Sequence, residues 1–333
     1  MYAYTLQQPI GLEQLKPSEH PTPKPQRNQI LVNWKATSLN FHDYMVATGK
    51  IPVQEGMIPM SDGAGTVVEV GPDVTLWKAG DSVMSLFFPN WHTGTATRDK
   101  TSAINGETHP GCATQYQVLP ETAVTRMPNG YSFEQAATLP CAAVTAWRAL
   151  MVEGNLQAGE SVLVEGSGGV SIFAMQLAKA AGAAVFATSS SQIKADRLKV
   201  LGATATVNYK DDERWGRTLY KMTGGIDHVL DVGGGSTFRQ SVEAAKIGGH
   251  IYSFGILGSP KGEVLFTKLF FKQLRVSGIA VGSREMQEEM IRALEVNQIA
   301  PIIDKVFGLE ELGAAFKHQE SGKHFGKIVV RLE

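Results

Sequence analysis

SVLVEGSGGVSIFAMQLAKAAGAAVFATSSS, residues Ser161–Ser191, decides the fold. Val162–Val164 form an apolar run too short for anything but a buried strand. Gly166, Gly168 and Gly169 then predict a sharp turn. From Val170 to Ala181, apolar Ile172, Met175 and Leu177 alternate with alanines in a helical pattern, and Gly182 is placed to end it. Ala184–Ala187 is a second apolar strand. Strand, glycine turn, helix and strand make one βαβ unit, whose right-handed crossover builds a parallel sheet.

The glycines carry the chemistry. Lacking Cβ atoms, they let the backbone approach a pyrophosphate, and the helix that follows aims free N–H groups and its positive dipole end at the phosphates. The G-x-G-x-x-G fingerprint reads here as Gly166, Gly168 and then Ser171. Serine is small enough for close helix–strand packing. Ser167, Gly169 and Val170 complete the expected phosphate turn.

At 333 residues the chain is natural for two domains. Its 31 basic and 32 acidic residues balance, so no nucleic-acid partner is implied. MYAYTLQQP at the start lacks a basic segment followed by an apolar one, and no apolar run is long enough to span a membrane. With only Cys112 and Cys141, neither a disulfide scaffold nor a thiolate-rich metal site is expected. The composition suits a cytoplasmic protein.

Before the βαβ unit, short strands alternate with glycine and proline turns, among them Gln29–Trp34, Thr66–Val70 and Ser82–Phe88. Residues 89–111 lack periodicity and are expected to be either a functional loop, over or beside a cleft, or a mobile segment. Ser132 and Gln135 form a capping box, and a helix is predicted over Ala142–Val152. After the unit, apolar strands at Thr206–Val207, His228–Val232, His250–Phe254 and Val276–Ala280 alternate with helical stretches, the rhythm of a doubly wound sheet. The helix Arg284–Val296 follows, then strands Pro301–Leu309 and Lys327–Leu332 around a helix at Leu312–Gln319.

The βαβ unit, together with Asp62–Gly71, AATLPCAAVTAWRA at Ala136–Ala149 and the ending SGKHFGKIVV, resembles the medium-chain dehydrogenase/reductase superfamily. The resemblance spans essentially the whole chain. It implies an α/β protein in which a Rossmann-type doubly wound parallel sheet is inserted in a GroES-like β-rich catalytic domain, with the active site between the two. The implied division is residues 1–124 catalytic, 125–296 dinucleotide-binding and 297–333 a return to the catalytic domain.

That superfamily includes zinc alcohol dehydrogenases and zinc-free quinone and enoyl reductases, so fold does not settle chemistry. Where the zinc enzymes carry a cysteine, a histidine and a further ligand, this chain has Asn40, Ser61 and Cys141. Cys141 and the adjacent acid Asp62 make a poor cage for Zn²⁺, which takes three protein ligands in catalytic sites. No zinc is expected; a rearranged set of His42, Asp43 and Cys141 is the alternative. The zinc-free branch resembles Asn40–Phe41–His42–Asp43–Tyr44 more closely, a segment that there faces nicotinamide and substrate. The candidate catalytic residues are therefore Asn40, to hold a carbonyl oxygen, and Tyr44 or His42, to deliver a proton. Asn40 could instead cap a turn, Tyr44 pack in a core, His42 lie at the surface and Asp43 cap the following helix.

NAD-selective sites place an acid after the second strand to hold the ribose 2′-hydroxyl. Here Thr188, Ser189 and Ser190 occupy that place, with Lys194 and Arg197 just beyond. Hydroxyls and bases suit a 2′-phosphate, so NADP(H) is the expected cofactor; the alternative is that the two bases only form a polar helix face. The resemblance adds Tyr209 beside Lys194 at that phosphate. Gly233, Phe254, Gly255 and Val281 follow strands where a cofactor would lie, and the resemblance turns Phe254, Gly255 and Val281 toward nicotinamide. Lys323 would approach from the tail.

The resulting expectation is a zinc-independent, NADPH-dependent oxidoreductase that reduces quinones or α,β-unsaturated carbonyl compounds by hydride transfer. An alcohol or aldehyde dehydrogenase of the same superfamily and a non-catalytic NADPH-binding protein are the alternatives. Small carbonyl or quinone substrates are the expected partners, with no nucleic acid or membrane, and a homodimer through the last parallel strand is expected by family analogy.

Overall fold

In the computed structural model, which describes residues 1–332, the chain forms two compact units: Met1–Val144 with the segment from Val281 onward, and Thr145–Ala280. The first unit opens with a small antiparallel pair, β1 (Tyr2–Tyr4) and β2 (Pro17–Glu19). Its main sheet grows around β3 (Gln29–Ser38), the longest strand of the chain. Ile30, Val32, Trp34 and Ala36 alternate along β3 and are fully buried, as period-two patterning requires. Then come α1 (Phe41–Ala47), β4 (Asp62–Val70), β5 (Ser82–Ser85), β6 (Tyr116–Pro120) and β7 (Val124–Arg126). β3 and β4 approach so closely that a Cβ at Gly65 would sit 2.1 Å from the Asn33 carbonyl oxygen, and only glycine fits.

The second unit contains β8 (Ser161–Glu165), α2 (Gly169–Ala180), β9 (Ala184–Ser189), α3 (Gln192–Val200), β10 (Ala205–Asn208), α4 (Trp215–Thr223), β11 (Ile226–Asp231), α5 (Phe238–Ala244), β12 (Ala245–Ser253), α6 (Phe266–Phe271) and β13 (Arg275–Gly278). All six strands pair in parallel in the order β10-β9-β8-β11-β12-β13. This is the doubly wound Rossmann order, with the reversal of strand order between β8 and β11. The turn after β8 follows its glycines: Gly166 adopts φ +73°, and α2 begins at Gly169. Ser171, at the third fingerprint position, is buried and donates its hydroxyl to the Glu165 carbonyl (2.7 Å), tying helix to strand.

The chain then returns to the first unit through α7 (Arg284–Val296), β14 (Ile303–Gly308), α8 (Leu312–Glu320) and β15 (Lys327–Arg331). The main sheet runs β14-β15-β3-β4-β5-β7, with β6 also on β3. α7 is fixed there by Gln287, whose buried amide donates to Thr125 Oγ1 (2.7 Å) and the Ser85 carbonyl (3.1 Å).

One element differs from its sequence pattern. The helix expected over Ala142–Val152 starts earlier and is irregular: wide π turns at Leu139–Ala143 and Arg148–Glu153 flank a single α turn, Val144–Trp147. Pro140 sits in the first turn, where its missing N–H costs nothing, and the Cys141 N–H, which has no acceptor within the helix, bonds to the Asp62 carboxylate (3.3 Å).

A line of polar side chains crosses the β11–β12–β13 half of the parallel sheet. His228 pairs with Tyr252 Oη (2.7 Å) and Glu160 (2.9 Å), and His250 pairs with Ser277 Oγ (2.8 Å) and packs against the Tyr252 ring. Burial, then Arg275 and His228, pushes His250 down to about 4, against a weaker pull from Glu153. A histidine held neutral in the folded state binds fewer protons than the unfolded chain between pH 6.5 and 4. Its contribution is therefore complete above pH 6.5 and is lost as pH falls toward 4, up to about 3 kcal/mol. Unfolding in urea at pH 7.5 and pH 5 should show a clear loss of stability that is reduced in His250→Gln. Parallel pH dependences in the two proteins would contradict this.

Candidate functional site

The first unit converges three strand ends on one polar cluster. β4 pairs antiparallel to β3 with Asp62 opposite Ser38, and β15 pairs antiparallel to β3 with Val329 opposite Ser38. Continuing those registers past Ser38 brings Ser61 and Lys327 beside Leu39 and Asn40. All four residues, with Asp43 and Asp62, are buried. Met60, just before Ser61, adopts φ +78° while fully buried, a strained backbone that turns the chain into β4.

Lys327 Nζ donates to the Leu39 carbonyl (2.6 Å) and to Asn40 Oδ1 (2.6 Å), and lies 3.9 Å from Asp62 Oδ2. Asn40 Nδ2 donates to Ser61 Oγ (3.1 Å). An ammonium has only donors, so its partner on Asn40 must be the oxygen, and this fixes which way the amide points. Asn40 is the N-cap of α1 and pairs with Asp43 at the start of the helix. The Asp43 carboxylate stabilises the turn by accepting the N–H of Asn40 (2.8 Å) and of Ser61 (2.8 Å).

The electrostatics follow from burial and neighbours. Burial pushes Asp62 up to about 7, opposed by Lys327 and reinforced by Asp43. For His42, burial alone would lower the pKa, but Asp43 and Glu107 outweigh it and hold the imidazole up to about 9. His42 Nε2 lies 2.6 Å from Glu107, so this ring is a proton-carrying imidazolium at neutral pH. Tyr44 is buried and donates its hydroxyl to Glu320 (2.5 Å); that bond, then burial, raises its pKa.

The donor set does not fit zinc. At Asn40 and Ser61 stand a neutral amide and a hydroxyl, already bonded to each other, with a buried ammonium against the amide oxygen. A dication there would face that ammonium directly. Among the described residues no three histidine, cysteine or acidic side chains converge to hold a metal, and this includes the alternative set His42, Asp43 and Cys141.

The second unit brings the expected cofactor residues to neighbouring strand ends. Gly166 N–H bonds to the Thr188 carbonyl (3.0 Å) and Tyr209 N–H to the Ser189 carbonyl (3.0 Å), because β8, β9 and β10 lie side by side. A Cβ added at Gly166 or Gly168 would meet nothing within 4 Å, so the turn leaves open room over the start of α2. Ser167 is buried, and Gly168, Gly169 and Val170 form the first turn of α2. Thr188 and Ser189 are buried, Ser190 is half-buried, and no acid stands at the end of β9. Lys194 is half-buried in the first turn of α3, Arg197 is exposed a turn later, and Tyr209 is 42% exposed. Gly233 follows β11. Phe254 follows β12, its N–H on the Asp231 carbonyl (3.2 Å), and a Cβ at Gly255 would strike the Val232 carbonyl oxygen (2.5 Å). These residues would hold a dinucleotide across the end of the sheet.

Val281 and Lys323 belong to the first unit. Val281 is buried with φ +46°, a strained state for a β-branched residue, and Lys323 is exposed in the turn after α8.

Sequence patterning missed several partners. Lys327 reads as a strand residue, and nothing local marks it as buried. Glu107 comes from the unpatterned 89–111 loop, where Trp91 and Asn105 are buried and Asn105 anchors to the Leu86 carbonyl (2.6 Å). Glu320 lies near the chain end, 276 residues from Tyr44. In the second unit, Ser241 Oγ lies within hydrogen-bond distance of buried Glu165 (2.7 Å) and Asp231 (2.6 Å), and its single proton can go to only one of them. Burial raises both acids, and repulsion by Asp231 raises Glu165 further. Glu165 also accepts the Val232 N–H (3.2 Å), and Asp231 the Gly234 N–H (2.8 Å), which braces the loop after β11.

Comparison with known proteins agrees with this architecture. Residues 26–129 match the alcohol dehydrogenase GroES-like domain, and residues 169–296 match the zinc-binding dehydrogenase domain. A zinc-type alcohol dehydrogenase-like protein of Schizosaccharomyces pombe is 41% identical, covering 97% of this chain and 96% of its own. An acryloyl-coenzyme A reductase of Sulfurisphaera tokodaii is 27% identical over 95% of this chain and 96% of its own. A solved structure of an NAD-dependent alcohol dehydrogenase superposes with a TM-score of 0.92 at 31% identity, covering all of both chains. With its GroES-like unit, its Rossmann unit and these full-length relatives, the chain belongs to the medium-chain dehydrogenase/reductase superfamily of oxidoreductases.

Proposed function

We propose that the protein is a zinc-independent, NADPH-dependent reductase of quinones or α,β-unsaturated carbonyl compounds. The observation that carries this is the Asn40 amide, held with its oxygen on a buried ammonium and its NH₂ on the opposite side, where relatives of the zinc type would need a metal donor. An activated acceptor needs less electrophilic help than a simple aldehyde. The relative that acts on acryloyl-coenzyme A, an activated alkene, lends this support at the level of chemical class.

NADPH, when bound, supplies the hydride. Asn40 Nδ2 donates a hydrogen bond to the acceptor oxygen and steadies the negative charge that develops there. His42, held as imidazolium by Asp43 and Glu107, has a proton to give. Tyr44 is the weaker candidate, because its hydroxyl proton is directed to Glu320. For the cofactor, Thr188, Ser189 and Ser190, with Lys194 and Arg197 beyond them and no acid at the end of β9, favour a 2′-phosphate over a free 2′-hydroxyl. One solved relative is named for NAD, so the proposed preference rests on this chain's own residues alone.

The test is oxidation of NADPH and NADH, in parallel, with a benzoquinone, an enone and an aldehyde. NADPH with quinone or enone should turn over fastest, and Asn40→Ala should lower kcat by about 100-fold with the KM for NADPH little changed. Turnover confined to aldehyde, or equal use of NADH, would favour an alcohol dehydrogenase. Stoichiometric NADPH binding without turnover would favour a non-catalytic binding protein.

The partner supported best is a second copy of the chain. Among the described residues β13 is a sheet edge, paired only with β12, and α6 just before it exposes Phe266, Phe270 and Phe271, each about three-quarters accessible. Edges and apolar faces of this kind are covered in stable proteins. Light scattering should give a dimer for the wild type and a monomer for Phe270→Glu/Phe271→Glu; a monomeric wild type would contradict the proposal.

A further inference from the structure

We infer that Lys327 is a positioning residue of the reaction: it sets the Asn40 amide so that its NH₂ points at the reacting oxygen, and it supplies the fixed positive charge behind it. The inference rests on the reductase reading above and extends it to a residue outside the Asn40–Tyr44 segment.

Lysine is almost never fully buried unless paired, yet Lys327 is only 3% exposed. Its three N–H donors are accounted for by the Leu39 carbonyl, the Asn40 amide oxygen and, at ion-pair distance, Asp62. A merely structural lysine would need the Leu39 carbonyl and Asp62, which tie β15 to the end of β3 and the start of β4. The bond to Asn40 does something else. A free asparagine amide can rotate by half a turn and exchange its donor and acceptor faces at little cost. An ammonium 2.6 Å from Oδ1 forbids that exchange, because the flipped amide would set NH₂ against NH₃⁺.

Ser61 closes the other side by accepting from Nδ2 (3.1 Å), and its own backbone N–H is held by Asp43. The donor that the reaction needs is thus fixed before substrate arrives, so no reorientation is required when charge develops. Asp62, also wholly buried, lies 3.9 Å from the ammonium, and a hydrogen bond from the Asn40 side chain to its carboxylate braces the NH₂ end of the amide. The cation adds to the amide's polarity in a water-poor site, where such charges act more strongly than in solvent.

The experiment combines kinetics with a readout that does not require turnover. In ¹⁵N-labelled protein, the Asn40 side-chain NH₂ pair is identified by its loss in Asn40→Ala, and its hydrogen exchange is followed. The wild type should show a slowly exchanging pair. Lys327→Met should bring exchange close to that of a solvated amide and lower kcat by about 100-fold, with the KM for NADPH within about twofold. Lys327→Arg, which keeps a cation and a donor, should recover part of both.

If Lys327→Met does not fold because Asp62 is left uncompensated, Lys327→Met/Asp62→Asn removes both charges and should show the same free amide and low kcat. An Asn40 amide unaffected by loss of Lys327, or a freed amide with unchanged kcat, would overturn the inference. A wild-type enzyme that reduces no quinone or enone would instead overturn the reductase reading, while the exchange data would still decide whether Lys327 holds the amide.

Discussion

A lysine ammonium taken out of water has to find acceptors for all its protons, and the first unit is arranged around that demand. β15 enters the sheet beside β3 in the register that carries Lys327 to the end of β3, where a backbone carbonyl, an amide oxygen and a carboxylate meet it. Removing any one of the three would leave a buried charge short of a partner, which costs several kcal/mol in typical proteins. The strained backbone at Met60, the carboxylate of Asp43 on two N–H groups and the N–H of Cys141 on Asp62 all hold the chain close around the same point. Under the proposed reduction, rigidity here has a chemical use, since an oxygen that gains charge during hydride transfer is stabilised best by donors that do not have to move.

The second unit solves a different problem with similar means. A glycine turn that leaves open room over the start of α2 gives up side-chain contacts, so its neighbours have to hold it. Ser171 ties α2 to the last carbonyl of β8, and Thr188 receives the Gly166 N–H across the strand pair. Glu165 and Asp231, sharing the Ser241 hydroxyl, brace the loop after β11 from below. Two buried acids so close cannot both ionise easily, and burial raising both pKa values keeps a proton between them near neutrality.

How much of this could be read from the sequence depended on how local each feature is. The β8–α2–β9 unit was legible because its strand, turn and helix signals sit within thirty-one consecutive residues, and each is set by nearby backbone geometry. The parallel order of the later strands followed from their apolar runs and the helices between them. The π turns after Leu139 were not legible, because no local pattern marks them, and the Asp62 carboxylate that takes the Cys141 N–H lies 79 residues away in sequence. Asn40 stood out as an amide in an apolar frame, but its partner Lys327 is 287 residues distant and looks like any lysine that starts a strand. Glu107 and Glu320 were hidden for the same reason: register and loop path bring them to His42 and Tyr44, and neither leaves a local pattern. The site residues were thus named more readily than what holds them.

The central claim is that a buried ammonium and an oriented amide stand where a metal would otherwise work. It is tested most directly by zinc stoichiometry: purified protein is incubated with excess Zn²⁺, desalted and analysed for metal per chain. Well under one equivalent should be retained, with no change in retention between the wild type and Cys141→Ser. One tightly held zinc per chain, lost on Cys141→Ser, would contradict it and return Asn40, Ser61 and Lys327 to the role of bystanders.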